Sequence, residues 1–213
     1  MKDNVFFVSG IDTNVGKSYA TGYIAAQWNR EGIRTITQKL IQTGNEGVSE
    51  DIELHRRIMG CGLLEEDRSG LTMPEIFTYP CSPHLASEID GRDIDFHKIR
   101  TATETLSENY DAVLLEGAGG LMVPLTRDML TIDYVSEMNY PLILVTSGRL
   151  GSINHTLLSL EAVKSRGISL KMLVFNGYPK EKDSVISDDT EKYIKDYLLN
   201  EFSGAEYVYL PQL

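Results

Sequence analysis

The chain has little cysteine, no excess of positive charge and no long apolar run, and each shortage excludes a class of function. Its two cysteines, Cys61 and Cys81, form no CxxC pair and have no clustered histidines beside them, so neither a disulfide framework nor a zinc site is expected. Lys and Arg number 20 against 31 Asp and Glu, a net charge of −11, which is the wrong sign for an electrostatic grip on nucleic acid or anionic lipid. Any polyanion must therefore be held locally. The start of the chain passes from Met1 through a few charged residues into Val5-Phe6-Phe7-Val8, too short for a secretory core or a membrane span, so a cytoplasmic protein is expected. No repeat or low-complexity tract is visible. A length of 213 residues suits one core, and the expectation is a single domain over residues 1–213.

What is present is an alternation of short β-rich runs with amphipathic stretches. Strands are expected at Val5–Ser9, Arg34–Leu40, Ala112–Glu116, Pro141–Thr146, Lys171–Asn176 and Tyr207–Leu210. Helices are expected at Lys17–Arg30, Ser49–Met59, Phe96–Ser107, Ile153–Arg166 and Asp188–Glu201, with Asp95 capping the third and Gly32 and Gly167 just past two helix ends. Runs such as Leu142-Ile143-Leu144-Val145 are apolar on both faces, as parallel strands covered by helices require. The pattern is α/β, a doubly wound, mainly parallel sheet with helices on both faces. Ligands of such folds gather beyond the carboxyl ends of the strands, so the loops after Ser9, Leu40, Glu116, Thr146 and Asn176 should share one site. Residues 60–91, with prolines at 74, 80 and 83, read as a structured connection.

The first strand runs into Gly10-Ile11-Asp12-Thr13-Asn14-Val15-Gly16-Lys17-Ser18, and a helix follows at once. Gly-Lys-Ser between a strand and a helix is the end of a phosphate-binding loop, in which backbone N–H groups and the helix N-terminus surround an anion. Lys17 can reach the β and γ phosphates and the Ser18 hydroxyl can ligate Mg²⁺. Five residues separate Gly10 from Gly16, where the common pattern has four. Hard Mg²⁺ takes oxygen ligands, and two acids are expected at the carboxyl edge of the sheet. Glu116 closes one strand ahead of Gly117-Ala118-Gly119-Gly120, whose small residues let backbone approach a ligand; it also fits as an acid capping a neighbouring helix. Asp51 opens the helix after the second strand, where acids are common for dipole reasons alone. Lys39, followed by Thr43-Gly44, suits a site cation by its strand-end position.

Taken together, Gly10-x-Asp12-Thr13-x-Val15-Gly16-Lys17-Ser18, Lys39-x-x-x-Thr43-Gly44, Ser82-Pro83-His84, Glu116-Gly117-Ala118-Gly119-Gly120 and Gly151-Ser152-Ile153-Asn154-His155 resemble the dethiobiotin synthetases of biotin synthesis, in the family's order and over most of the chain. The longer phosphate loop is the family's own form. The resemblance implies a homodimeric P-loop enzyme that joins CO₂ to the two amines of 7,8-diaminopelargonic acid, with ATP as co-substrate and Mg²⁺ as metal. It implies that Lys17 and the amides of Asn14, Val15, Gly16, Ser18 and Tyr19 hold phosphate, with Ser18, Asp51 and Glu116 around the metal. Thr13, Lys17 and Lys39 take catalytic positions. Gly117, Ala118 and Gly119 line the nucleotide, Asn176 and Gly177 meet adenine, and Thr43 meets substrate.

Leu150, Gly151, Ser152, Ile153 and Asn154 would receive the substrate carboxylate from the partner subunit, although the same segment also reads as a plain helix start. Ser82-Pro83-His84 fits a turn, and His84 and His155 fit local packing. Ser18 stands where the family usually has threonine, and Thr43 where it usually has serine. The chain stops at Leu213, where relatives carry a longer tail, so the base is expected to rest mainly on Asn176 and the backbone near Pro211. Other readings are a P-loop switch ATPase of the partition type, which would carry a second lysine where Asp12 and Thr13 stand, a non-catalytic nucleotide-binding module, an amidating relative with a glutaminase domain, and a small-molecule kinase.

Overall fold

The computed structural model describes residues 4–178 and 183–212. The charged lead read at the chain's start and the terminal Leu213 lie outside them. Six strands, β1 (Val5–Gly10), β2 (Thr35–Lys39), β5 (Ala112–Gly120), β6 (Leu142–Ser147), β7 (Leu170–Asn176) and β8 (Glu206–Leu210), form one sheet in the order β2-β5-β1-β6-β7-β8, all neighbours parallel. Every residue of β2 and β6 is buried; in β6 this gives the apolar run Leu142–Val145, whereas the polar side chains Thr37, Gln38 and Lys39 of β2 are buried with hydrogen-bond partners. The order reverses direction at β1. The chain moves from β1 to one side through α1 (Lys17–Arg30) and, from β6, to the other through α7 (Ser152–Ser165) and α8 (Ser184–Glu201). The crevice between the carboxyl ends of β1 and β6 is thus the topological switch point.

Local signals explain most boundaries. Asp95 caps α5 (Phe96–Asn109) by accepting from Lys98 N at 2.9 Å, and Ser49 caps α2 (Glu50–Met59) by accepting from Ile52 N. Gly32 and Gly167 have positive φ just beyond α1 and α7. The last helix starts a turn earlier than its apolar pattern indicates because Asp183 accepts from Val185 N at 2.9 Å. The segment 60–91 is structured, as expected. It holds α3 (Glu65–Arg68), β4 (Ile76–Phe77) and α4 (Pro83–Asp90), with Ser82-Pro83-His84 starting the last of these. Strand β4 pairs in parallel with the two-residue β3 (Gln42–Thr43). A further short helix, α6 (Thr131–Glu137), lies between β5 and β6. No helix among the described residues is long and apolar enough to cross a membrane.

One ion pair fixes this segment to the sheet. Arg56 on α2, 1% exposed, makes two bonds to Asp67 of α3, Nε to Oδ2 at 2.8 Å and Nη2 to Oδ1 at 2.7 Å. Thr72 Oγ1 and Leu64 N also donate to Asp67. The carboxyl is held below its ordinary pKa: burial pushes it up, and the bonds from Arg56 and Thr72 outweigh that. Just beyond it, the Thr72 carbonyl accepts from Lys39 N at 2.7 Å, so this connection fastens the end of β2.

Asp67→Ala leaves a buried guanidinium unpaired and should cost about 3 to 5 kcal/mol in urea unfolding, whereas Arg34→Ala, which opens the exposed Arg34–Asp111 pair, should barely move the midpoint. Because the folded pKa of Asp67 is lowered, its contribution should be complete above about pH 4 and disappear on acidification through the lowered value.

Candidate active site

The phosphate loop closes around its own amides. Asn14 (φ +58°) and Gly16 (φ +99°) take the left-handed conformation on either side of the buried Val15, and Gly16 caps α1. Alternation of this kind turns successive N–H groups into one hollow, and the residue in excess of the common pattern is accommodated within it. Gly16 is required for a second reason: a Cβ there would lie 2.3 Å from Asn176 Nδ2. Lys17 is 7% exposed and its Nζ donates to the Asp12 carbonyl at 3.1 Å. Burial lowers its pKa below the usual lysine value, opposed by Glu116 and Asp51, so an anion arriving here meets a cation short of partners.

Three oxygens converge beside it from three elements. Ser18 Oγ, in the first turn of α1, lies 2.6 Å from Asp51 Oδ1 and 2.9 Å from Glu116 Oε1, with one hydrogen to give to the two carboxylates. Lys39 pairs in register with Glu116 across the β2–β5 ladder, and its Nζ lies 2.8 Å from Glu116 Oε1, 2.5 Å from Asp51 Oδ2 and 3.3 Å from the Gly117 carbonyl. Burial works against the Lys39 charge, but Glu116 and Asp51 raise its pKa above the ordinary value. Glu116 likewise is pushed up by burial, yet Lys39 and His55 hold it well below the usual range. Both groups are charged at neutral pH.

Thr13, Asn14, Gly16, Lys17, Ser18, Tyr19, Lys39, Thr43, Asp51, Glu116, Ala118 and Gly119 line one cavity of about 440 Å³. Asn176 lies in an adjoining hollow of about 350 Å³ with Asn14, Gly16, Tyr19, Tyr178, Leu210 and Pro211. Its side chain bridges two segments: Nδ2 donates to the Val15 carbonyl at 2.9 Å and Oδ1 accepts from Tyr178 N at 3.0 Å. Gly177 packs under Tyr209, where a Cβ would meet the hydroxyl at 2.0 Å.

Other expected residues stand apart. Leu150, Gly151, Ser152, Ile153 and Asn154 line neither space. Leu150 is 78% exposed, Gly151 caps α7 and Ser152 is buried against Ser147. Gly117 makes room for the Phe7 ring, 2.8 Å from where its Cβ would be, and its carbonyl accepts from Lys39 Nζ. Two residues that the sequence reading passed over join the site. His55 sits behind Glu116, one turn after Asp51 on α2, an i,i+4 spacing that could have drawn notice. Arg149 pairs with Asp12 at 2.5 Å across the two central loops, a long-range contact with no local sequence signal.

A phosphate hollow at the head of α1, an acid on the central strand, an acid in the first turn of α2 and a hydroxyl beside it, on a parallel sheet, define a P-loop nucleotide-binding protein. In agreement, residues 4–205 match the family model described as an AAA domain. The fold is shared with a putative plasmid partition protein of Borrelia burgdorferi bound to AMPPNP (TM-score 0.56, 13% identity, 100% of this chain and 89% of that one) and with the signal recognition particle receptor FtsY of Elizabethkingia anophelis (TM-score 0.53, 12% identity), of which the chain spans 60%. Sequence is more specific. The chain is 52% identical over 194 residues, 91% of each chain, to the ATP-dependent dethiobiotin synthetase BioD 2 of Pasteurella multocida. It is 56% identical over 176 residues to the protein of the same name in Haemophilus influenzae, covering 83% of this chain and 92% of that one. It belongs to the dethiobiotin synthetase family.

Gly16→Ala should lower ATP affinity by at least about a hundredfold by calorimetry while far-ultraviolet dichroism stays unchanged, because the strain is confined to the phosphate loop and Asn176.

Proposed function

We infer that the protein is an ATP-dependent dethiobiotin synthetase, a ligase that closes a ureido ring from 7,8-diaminopelargonic acid and CO₂ with release of ADP and phosphate. One observation carries the reading beyond family membership: a buried lysine at the end of β2 shares a cavity with the phosphate loop and joins both Asp51 and Glu116. A bare nucleotide switch has no need of that second cation. The whole chain is read as one catalytic domain acting in the cytoplasm.

The chemistry asks for charge stabilisation and placement, with no protein nucleophile. One amine adds to CO₂ and loses a proton, giving a carbamate; a carbamate oxygen attacks the γ-phosphorus and ADP leaves. The second amine then attacks the carbamoyl carbon and expels phosphate. Each of these species is anionic. Lys17 and the amides of Asn14–Tyr19 hold the phosphates, Lys39 neutralises the carbamate and the moving phosphoryl group, and Thr13 and Thr43 border the space between them.

The residues also fit Mg²⁺. Ser18 Oγ, Asp51 Oδ1 and Glu116 Oε1 are hard oxygens, the two acids both within hydrogen-bond reach of the hydroxyl, and a lysine ammonium stands where positive charge is wanted. Among the described residues no group of three or more His, Cys, Asp or Glu side chains is arranged for a metal, so the other ligands would be phosphate and water, as Mg²⁺ favours. When bound, the ion supplies positive charge to the β and γ phosphates. For the base, Asn176 Nδ2 has one N–H beyond that given to Val15, and we assign it to purine N7.

A two-fold dimer completes the reading. The Leu150–Asn154 loop lines no part of its own chain's phosphate cavity, and Leu150, Leu158 and Met122 are exposed on that side of the molecule, which supports donation of the loop's amides to a substrate carboxylate in the partner's site.

The decisive experiment is incubation of the enzyme with the diamine, bicarbonate and MgATP. The cyclic urea should appear by mass with one ADP per ring, and ADP formation without it would overturn the reading. Lys17→Ala and Lys39→Ala should each slow turnover by at least about a hundredfold. A mixture of Lys17→Ala and Gly151→Glu chains should regain up to about half of wild-type activity per heterodimer, while each parent stays nearly inactive. Replacing ATP by 7-deaza-ATP should raise KM by about tenfold, the loss of one hydrogen bond at a buried donor.

A further inference from the structure

The two oxygens of Glu116 face different surroundings. Oε1 looks into the cavity, 2.9 Å from Ser18 Oγ, and accepts from Lys39 Nζ at 2.8 Å, whereas Oε2 lies 2.9 Å from His55 Nε2. Both Glu116 and His55 are without exposed surface. The other ring nitrogen, Nδ1, is 3.0 Å from Thr37 Oγ1, and Arg56 Nη1 lies 2.8 Å from the same oxygen. Arg56 is held in turn by Asp67.

Hydrogen-bonding capacity sets the direction of this string. An ionised carboxylate only accepts, so His55 Nε2 beside Glu116 Oε2 carries a hydrogen, and a guanidinium only donates, so Thr37 Oγ1 accepts from Arg56. In the neutral ring Nδ1 then has no hydrogen and accepts the one on Thr37 Oγ1, while Nε2–H donates to Glu116 Oε2. A carboxylate without such a bond turns about its last torsion and offers either oxygen, or both, to a cation. Mg²⁺ has short bonds and a near-octahedral demand, so that freedom opposes binding.

We propose that His55 is a positioning residue for the metal site: it ties Glu116 Oε2 so that Oε1 alone, beside Ser18 Oγ and Asp51 Oδ1, faces a divalent cation bound with the nucleotide. The inference rests on the reading of Ser18, Asp51 and Glu116 as Mg²⁺ ligands. It also gives the 60–91 connection a part in the site, since Asp67 anchors the far end of the string. Partners of this kind behind a ligating carboxylate are worth about 10- to 100-fold in metal affinity.

The test uses Mn²⁺ with ATP, following the free-ion signal by electron paramagnetic resonance, on the wild type, His55→Gln, His55→Asn and Glu116→Gln. A glutamine amide reaches the position of Nε2, whereas an asparagine amide reaches only that of Nδ1. Mn²⁺ affinity should therefore stay within about threefold for His55→Gln and fall about 10- to 100-fold for His55→Asn. The apparent KM for metal in the Asn variant should rise with the same factor, and ATP affinity measured without metal should not change. Equal affinity in the wild type and both His55 variants would overturn the proposal, and so would equal weakening in both, which would reduce His55 to packing. Failure of the underlying site reading is a separate result: Glu116→Gln would then bind Mn²⁺ as tightly as the wild type. Should His55→Asn not fold, ¹⁵N-histidine resonance of the wild type decides, with the His55 signal assigned by its loss in His55→Gln. Hydrogen on Nε2 is expected, and a bare Nε2 overturns the proposal.

Discussion

A carboxylate with no exposed surface at the end of the central sheet is the constraint on which the site depends. Removing such a charge from water costs several kcal/mol unless partners replace the lost solvent, and Glu116 has Lys39 from β2, Ser18 from α1 and His55 from α2. These reach it because the sheet runs β2-β5-β1, which puts Lys39 in register with Glu116 and the head of α1 on the other side. Shifting β2 by one residue against β5 would turn Lys39 to the opposite face and leave the acid bare. Strand order, register and the cluster thus stand or fall together.

The parts of this arrangement that were legible in the sequence are those encoded by neighbours along the chain. Fully apolar runs marked the strands of a covered parallel sheet, Gly-Lys-Ser between a strand and a helix marked the phosphate loop, and strand-end positions singled out Lys39 and Glu116. The structure brings Asp51 into contact with Ser18 and Lys39, so its geometry goes beyond that of an ordinary first-turn acid. What was illegible depends on contacts distant in sequence. The partner of Asn176 is Val15, 161 positions away, and that of Arg149 is Asp12, 137 positions away. Strands of two residues, β3 and β4, are too short for any periodicity, and their pairing follows from burial of Phe77 and from Arg92 over its ring. That Gly117 also leaves room for Phe7, 110 positions away, is something no linear pattern contains.

The connection between α2 and α5 shows how a stretch outside the main sheet can shape a site. Without contributing a residue to the phosphate cavity, it grips Arg56 through Asp67 and the backbone of Lys39 through Thr72. Its prolines begin or interrupt elements, Pro83 opening α4 and Pro80 packing against Gly44. Substitutions there would be felt first as misplacement of β2 and α2.

The burial of Lys17 and Lys39 has a kinetic side. Seen from a distance, a chain of net charge −11 repels a nucleotide, and the two site lysines, 7% and 5% exposed, contribute little to the field beyond the cavity mouth. Attraction begins only at contact. Added salt screens the long-range repulsion within about 8 to 10 Å of solution at physiological strength, but reaches the buried cations far less. Nucleotide capture by this protein is therefore one of the cases in which moderate ionic strength speeds encounter instead of slowing it, the reverse of the steering that a positively charged funnel would give.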